Sequence, residues 1–230
     1  MSRPTRRTPN PQDYIGFVMS MKPVFYVPLG TAGPIELVRS AVATVAATAP
    51  KLVPGPTGHG AARFSASTSD GDSYTIATAT SYHPGDTFSV MCWANQLGNG
   101  NLYPGMLQSS ANNDFGLGCT QAGSFNLGKT GVQNVFVTTQ TFKNTGWHHV
   151  LCTKTGSTVA YYVDGRPATG TLTNATIVAG SGNWVIGGPS SGALGHADDF
   201  DGMASDVAIW NRVLTPHEAW RLFAHGFGMQ

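Results

Sequence analysis

The stretch from Gly146 to Gly165, GWHHVLCTKTGSTVAYYVDG, constrains the fold more than any other. Two runs of aromatic and branched residues, Trp147 to Lys154 and Val159 to Val163, flank Thr155-Gly156-Ser157 and lead into Asp164-Gly165. Asp-Gly between apolar runs is a strong hairpin signal, because a type I′ turn needs positive φ at both central residues. The stretch therefore reads as two antiparallel strands and the start of a third. A chain with such a meander at its centre builds a sheet.

At 230 residues the chain fits one large β domain. Charged residues make up only 11%, and glycine contributes 29 positions. That is the composition of a packed, turn-rich protein, since disorder goes with more charge and less apolar content. The formal net charge of +1 argues against nucleic acid as the main partner, which would call for a basic face. The basic residues that do cluster, Arg3, Arg6 and Arg7, lie near the N-terminus and suit a solvated tail or a contact with a neighbouring subunit.

Cys92, Cys119 and Cys152 are far apart and odd in number, which fits neither a disulfide framework nor a zinc site. Cys92 and Cys152 sit inside apolar runs and read as buried thiols, which suggests folding in a reducing compartment. No secretory apolar run follows MSRPTRRTPNPQ, because Ile15 to Met21 is short and Lys22-Pro23 interrupts it. Nothing approaches a membrane span. Synthesis in the cytoplasm is the expectation.

In chain order, residues 1–22 read as an arm, with Tyr14, Phe17 and Met19 near its end. Such a segment cannot bury a core alone, so it is expected to be extended and to dock on another protein through Arg3, Arg6, Arg7, Tyr14 and Phe17. Residues 23–230 form the domain. Val24 to Leu29 is its first strand, and Tyr74 to Ile76 another. Phe88 to Trp93 places Phe88, Val90 and Cys92 on one face and Met91 and Trp93 on the other, the double apolar load of an inner strand. From Leu97 to Val137, short pieces separated by Asn-Gly, Gly-x-Gly and Ala-Gly turns read as hairpins. Asn183 to Gly188 makes a further strand. Phe200 to Trp210 makes another, with Val207 and Ile209 on one face and Trp210 on the other. Thr215-Pro216-His217-Glu218 is a capping box with proline at the first helical position, followed by the stripe Ala219, Leu222 and Phe223 and a stop at Gly226. Ala32 to Pro50 stays open: Val38, Val42 and Val45 would share a helix face, but the Val and Thr content favours strand.

Several of these runs carry a resemblance. Trp147-His148-His149-Val150, then Tyr-x-Val-Asp-Gly ending at Gly165, resembles the middle of laminin-G-like and pentraxin-like domains, the concanavalin A-like jelly rolls. Val24 to Leu29, Phe88-Ser89-Val90 with Trp93, Phe200 to Trp210 and the Leu214-Thr215-x-x-Glu218 helix follow in the family's order, over roughly residues 23–226. The resemblance implies an all-β, two-sheet antiparallel jelly-roll sandwich with one short C-terminal helix, here preceded by an extended N-terminal arm. The chain departs from the family at Gly30, where an Asp is typical, and at Val38 to Val42, which replace a loop that sometimes helps bind calcium.

Few residues suggest chemistry. His148 and His149 are adjacent on a strand and so point to opposite faces, which suits a structural role over a shared metal. Gly188-Pro189-Ser190-Ser191-Gly192 fits G-x-S-x-G, but Ala193 to His196 shows no helical pattern of the kind a nucleophile elbow needs. Glu36 and Glu218 are the only glutamates, so a glycosidase-type Glu pair is not expected, and neither is an enzyme. Asp198, Asp199 and Asp201 concentrate the hard oxygen ligands that calcium takes, with solvated loop carboxylates as the alternative. Tyr103, Asn112, Asn113 and Asp114 fall in loops where an aromatic and amides could hold a sugar, and Trp184 could serve there or in the core.

Two functions fit these features. One is a structural protein of a large assembly, such as a capsid decoration, tail or fibre component of a bacteriophage. It would be oligomeric and gripped by its arm at the virion surface. The other is a lectin module for cell-surface glycans, with or without calcium.

Overall fold

The computed structural model describes all residues except 1–10, 32, 46–48, 67–71, 78–82, 99–104, 111–113, 130–132, 174–176, 178–179, 181, 189–198 and 230. The chain opens with α1 (Pro11–Ser20), then β1 (Phe25–Val27), β2 (Ile35–Glu36), β3 (Ala41–Val42) and β4 (Thr44–Val45). β5 (Lys51–Pro54), β6 (Gly60–Phe64), β7 (Tyr74–Ile76), β8 (Thr87–Gln96), β9 (Gly105–Ser109) and β10 (Phe115–Cys119) follow. Next come β11 (Phe125–Lys129), β12 (Gln133–Thr138), β13 (His148–Thr155), β14 (Thr158–Val163), β15 (Arg166–Ala168) and β16 (Gly170–Leu172). β17 (Trp184–Ile186), β18 (Gly202–Trp210) and α2 (Pro216–Gly226) complete the order.

These strands form two antiparallel sheets. The first runs β15-β14-β13-β8-β18-β6-β5, with β1 also pairing with β18, and the second runs β16-β12-β11-β10-β9-β17-β7-β4. A small β2–β3 ribbon stands apart. The central meander takes its expected form. Val163 pairs with Arg166 across the two-residue loop Asp164-Gly165, and both loop residues have positive φ, 52° and 71°. The expected two-sheet sandwich with a C-terminal helix is the observed architecture.

The main core lies between the sheets. Alternation on β8 sends Phe88, Val90 and Cys92 into it, where Phe88 stacks on Phe115 of the opposite sheet at 4.1 Å. Full burial of one such ring contributes about 1.5–3 kcal/mol. On β18 the alternation slips. A bulge between Ser205 and Ala208, with Asp206 at φ 54°, lets Ala204 and Val207 both face inward while Ala208 and Trp210 face outward.

A second core covers the outer face of the first sheet. Met91 and Trp93 from β8, Leu151 from β13 and Trp210 from β18 pack there with Tyr14 and Val18 of α1 and Leu222 of α2. Here the sequence expectation needs correction. The N-terminal segment is not an extended arm from residue 11 onward but a docked helix, with Tyr14 1% exposed and Val18 fully buried. Ten residues make a poor helix in isolation, but packing supplies what propensity lacks. Proline 23 then ends the turn, and Lys22 takes φ 56°.

Two further readings resolve. Within 32–50 the chain forms the short strands β2, β3 and β4, as its Val and Thr content favours. Gly116-Leu117-Gly118 lies inside β10 and is not a turn. The C-terminal helix matches expectation in detail: Thr215 accepts from the Glu218 amide, and the Glu218 carboxylate accepts from the Thr215 amide at 2.8 Å. Among the described residues no helix is long and apolar enough to cross a membrane.

Candidate functional site

The two outer faces of the sandwich differ. On the first sheet, a buried polar knot lies beneath the N-terminal segments. The Asp206 carboxylate accepts from Tyr26 Oη at 2.5 Å, Thr57 Oγ1 at 2.7 Å and Ser205 Oγ at 2.7 Å, and pairs with His59 Nε2 at 2.9 Å. Glu36, also buried, accepts from the amides of Tyr26, Val38 and Arg39. Both carboxylates tie loops to strands, which accounts for Glu36 without catalysis.

Among the described residues, two cross-strand rows on the outer face of the second sheet carry no charged side chain. Tyr74 and Ile76 of β7, Phe115, Leu117 and Cys119 of β10, and Phe125 and Leu127 of β11 point inward. Their alternate neighbours therefore point out. One cross-strand row runs Thr44, Thr75, Val185, Gln108, Gly116 and Gly128. The next runs Gly105, Gly118, Asn126, Val137 and Thr171. Four glycines thus lie in two cross-strand pairs; Gly116 and Gly128 are half-buried and leave a shallow backbone-floored strip, whereas Gly105, Gly118 and the neighbouring Asn126 are buried. They also make room for an amide, since a Cβ on Gly105 would sit 1.9 Å from Gln108 Nε2 and one on Gly116 3.2 Å from Gln108 Cγ. Gly128 is open: its added Cβ would meet nothing nearer than the Gly116 carbonyl at 3.8 Å.

The sequence-predicted site residues lie elsewhere. Asp114 is fully buried, hydrogen-bonded to His83 Nδ1, and accepts from the Phe115 amide at 2.8 Å. His83 also contacts the Gly182 carbonyl at 2.9 Å and stacks on Trp184 at 4.8 Å, so Trp184 is a core residue. Asp201 pairs with Arg63 at 2.6 Å, whereas Asp199 is buried near Gly188. The carboxylates of Asp199 and Asp201 are therefore in different surroundings. Among the described residues no three of His, Cys, Asp and Glu gather to hold a metal ion. Tyr14 is in the second core, and Phe17 stacks on His225 at 3.9 Å, beneath Arg221. Tyr14 is thus buried within this chain, while Phe17 is half-buried. Arg3, Arg6, Arg7, Tyr103, Asn112, Asn113 and Asp198 lie outside the described residues, as does the G-x-S-x-G run after Gly188.

The histidine pair separates as expected. His148 Nδ1 meets Asp164 at 2.8 Å, whereas His149 is buried on the other face against Trp93. Burial lowers the His149 pKa to about 4. All three cysteines are free and buried, and burial raises their thiols well above the ordinary range.

Two packed antiparallel sheets backed by helices define a jelly-roll-type sandwich. Residues 68–219 match a family of the concanavalin A-like lectin/glucanases superfamily, and the chain belongs to that superfamily. No curated protein sequence matches the chain. In three dimensions it is similar to the binding domain of Paraclostridial Mosquitocidal Protein 1, with TM-score 0.64 and 15% identity over 87% of this chain and 51% of that one. It is also similar to Trypanosoma rangeli sialidase in complex with 2,3-difluorosialic acid, with TM-score 0.62 and 16% identity over 88% of this chain and 33% of that one. Domain 4 of AbnA, an extracellular arabinanase from Geobacillus stearothermophilus, solved with arabinotriose, matches at TM-score 0.66 and 11% identity, over 87% of this chain and 98% of that one. The chain thus spans about half of the first of these structures and a third of the second. At these identities the likeness shows the fold.

Proposed function

We propose that the protein is a non-catalytic carbohydrate-binding module whose ligand lies in the glycine-floored trough of the second sheet. The carrying observation is the half-buried Gly116–Gly128 pair beside Gln108, on a cross-strand row that carries no charged residue. A flat polyol needs a surface without projecting side chains and amides that can both donate and accept. A neutral glycan therefore suits this face. The arabinotriose held by the arabinanase domain and the binding-domain role of the toxin structure support this reading. The test is a broad glycan array, probed with calcium and then with chelator. A defined preference for a neutral glycan, unchanged by chelator, is expected, because Asp201 already neutralises Arg63. Silence under both conditions would defeat the reading.

A second reading is carried by a different surface. Ile35, Val42, Val45 and Leu52 are 43–64% exposed, on the β2–β3 ribbon and the edge strands β4 and β5. Apolar residues collected at sheet edges mark contact with another protein. In this reading the protein is a structural component of an assembly, such as a bacteriophage decoration, tail or fibre protein at the virion surface, and contacts its neighbours through that edge. Sedimentation should then show an oligomer that Val42→Lys dissociates. A monomer at every concentration would remove this reading and leave the first untouched.

A further inference from the structure

The helices do not cover the whole outer face of the first sheet. Gly226, the last residue of α2, sits on Trp93, where an added Cβ would lie 2.5 Å from Cζ2. Two residues further along β8, on the same face, comes Asn95. Register carries a row outward from it: Asn95 pairs with Met203, Met203 with Arg63, and Arg63 with Lys51. On the other side, Trp147 precedes His148, whose partner is Ala94, and so comes alongside Asn95. Trp147 packs against the same outer cluster as Trp93, which places its ring on this face. The row runs from Trp147, just before β13, across β8, β18, β6 and β5. Four strand spacings make it about 19 Å long.

Its chemistry is unlike that of the trough. Trp147 and Met203 are half-buried, Lys51 is exposed, and the Arg63 side chain is 25% exposed. Arg63 gives one N–H to Asp201 and one to the Gly202 carbonyl, which leaves donors of its five. Asp201 offsets one of the two cations, so the row keeps a single positive charge. Asn95 is 8% exposed, and its Oδ1 has no hydrogen-bond partner. That oxygen is closed to solvent, so Asn95 floors the row and is not a contact point for a ligand.

We propose that the row Trp147, Asn95, Met203, Arg63 and Lys51 is a second ligand site, specific for an oligosaccharide that carries a carboxylate. A sugar ring stacks on Trp147, and the carboxylate lies between Arg63 and Lys51. The site is independent of the trough, which lies on the opposite sheet and has no charge.

Calorimetric titration of the full chain in chelator, with trigalacturonic acid and with its neutral methyl ester, tests the proposal. The acid should bind at least tenfold more tightly than the ester. Lys51→Ala, an exposed change that leaves the fold alone, should weaken the acid about fivefold and steepen nothing for the ester. Trp147→Ala should weaken both ligands. Gly128→Val, which fills the trough, should leave acid binding unchanged. Equal affinity for acid and ester, no binding of the acid, or acid binding indifferent to both Lys51→Ala and Trp147→Ala would overturn it. Loss of acid binding in Gly128→Val would also overturn it, by moving the ligand to the trough.

Discussion

The indole Nε1 of Trp93 donates to the hydroxyl of Tyr14 at 3.0 Å, across 79 residues of sequence. This bond fixes α1 to the centre of the first sheet and makes the N-terminal segment part of the fold. Tyr14→Ala removes both the ring and the partner of a buried indole. It should cost about 3–5 kcal/mol in urea unfolding, as large aromatic truncations in cores do. A loss under 1 kcal/mol would return α1 to the status of a detachable arm.

His149 should make the protein acid-sensitive. Burial holds its pKa at about 4, against an ordinary value of 6.5. The unfolded chain therefore binds a proton first as the pH falls. The stability contributed by neutral His149 is complete above pH 6.5 and is lost on the way down to pH 4, on the order of 3 kcal/mol in all. His149→Phe should flatten the unfolding free energy across that window. An unaltered pH profile would show that the ring is hydrated or partnered in solution.

Asp206 is the hub of the outer polar knot, and its positive φ suits Asp, Asn or Gly. Asp206→Asn keeps the backbone and removes the charge that four side chains address. It should destabilise the protein by about 3 kcal/mol, in the range for buried hydrogen bonds to a charged group. Tyr26→Phe, which deletes one donor, should cost less. The reverse order would mean that the tyrosine packing, and not the carboxylate, holds the knot.

The helix cap offers a smaller effect with its own pH window. Thr215→Ala should cost about 1 kcal/mol. Hydrogen bonding from Arg212, with help from Thr215, lowers the Glu218 pKa to about 2. Its contribution is therefore present above the ordinary carboxylate range and lost as the pH falls through 2. Thermal unfolding at pH 7 and below pH 2 should show the wild type converging on Glu218→Gln in acid, while Thr215→Ala stays below both.

The scaffold was legible because each signal is local and physical. Asp164-Gly165 needs positive φ, β8 alternates apolar residues on two faces, and Thr215 with Glu218 caps a helix whatever lies around it. The helix at Pro11–Ser20 was not legible, because its stability comes from Trp93 and α2, which are distant in sequence. The trough was missed for another reason. Glycines at 116 and 118 look like turn residues, although Phe115, Leu117 and Cys119 alternate with them and give the strand away. Asp114 was read as a loop ligand because nothing near it in sequence points to His83, its buried partner. A carboxylate's partner is set by topology, not by spacing.

The trough itself is the central claim, and Gly128 is the place to test it. The Cβ of a valine there meets nothing nearer than the Gly116 carbonyl at 3.8 Å, so the fold should survive while the side chain stands over the glycine pair. Wild type and Gly128→Val should be applied to the same array of neutral glycans. The account predicts a defined preference in the wild type that falls at least tenfold in the variant. Equal binding by both proteins, or none by either, would contradict it.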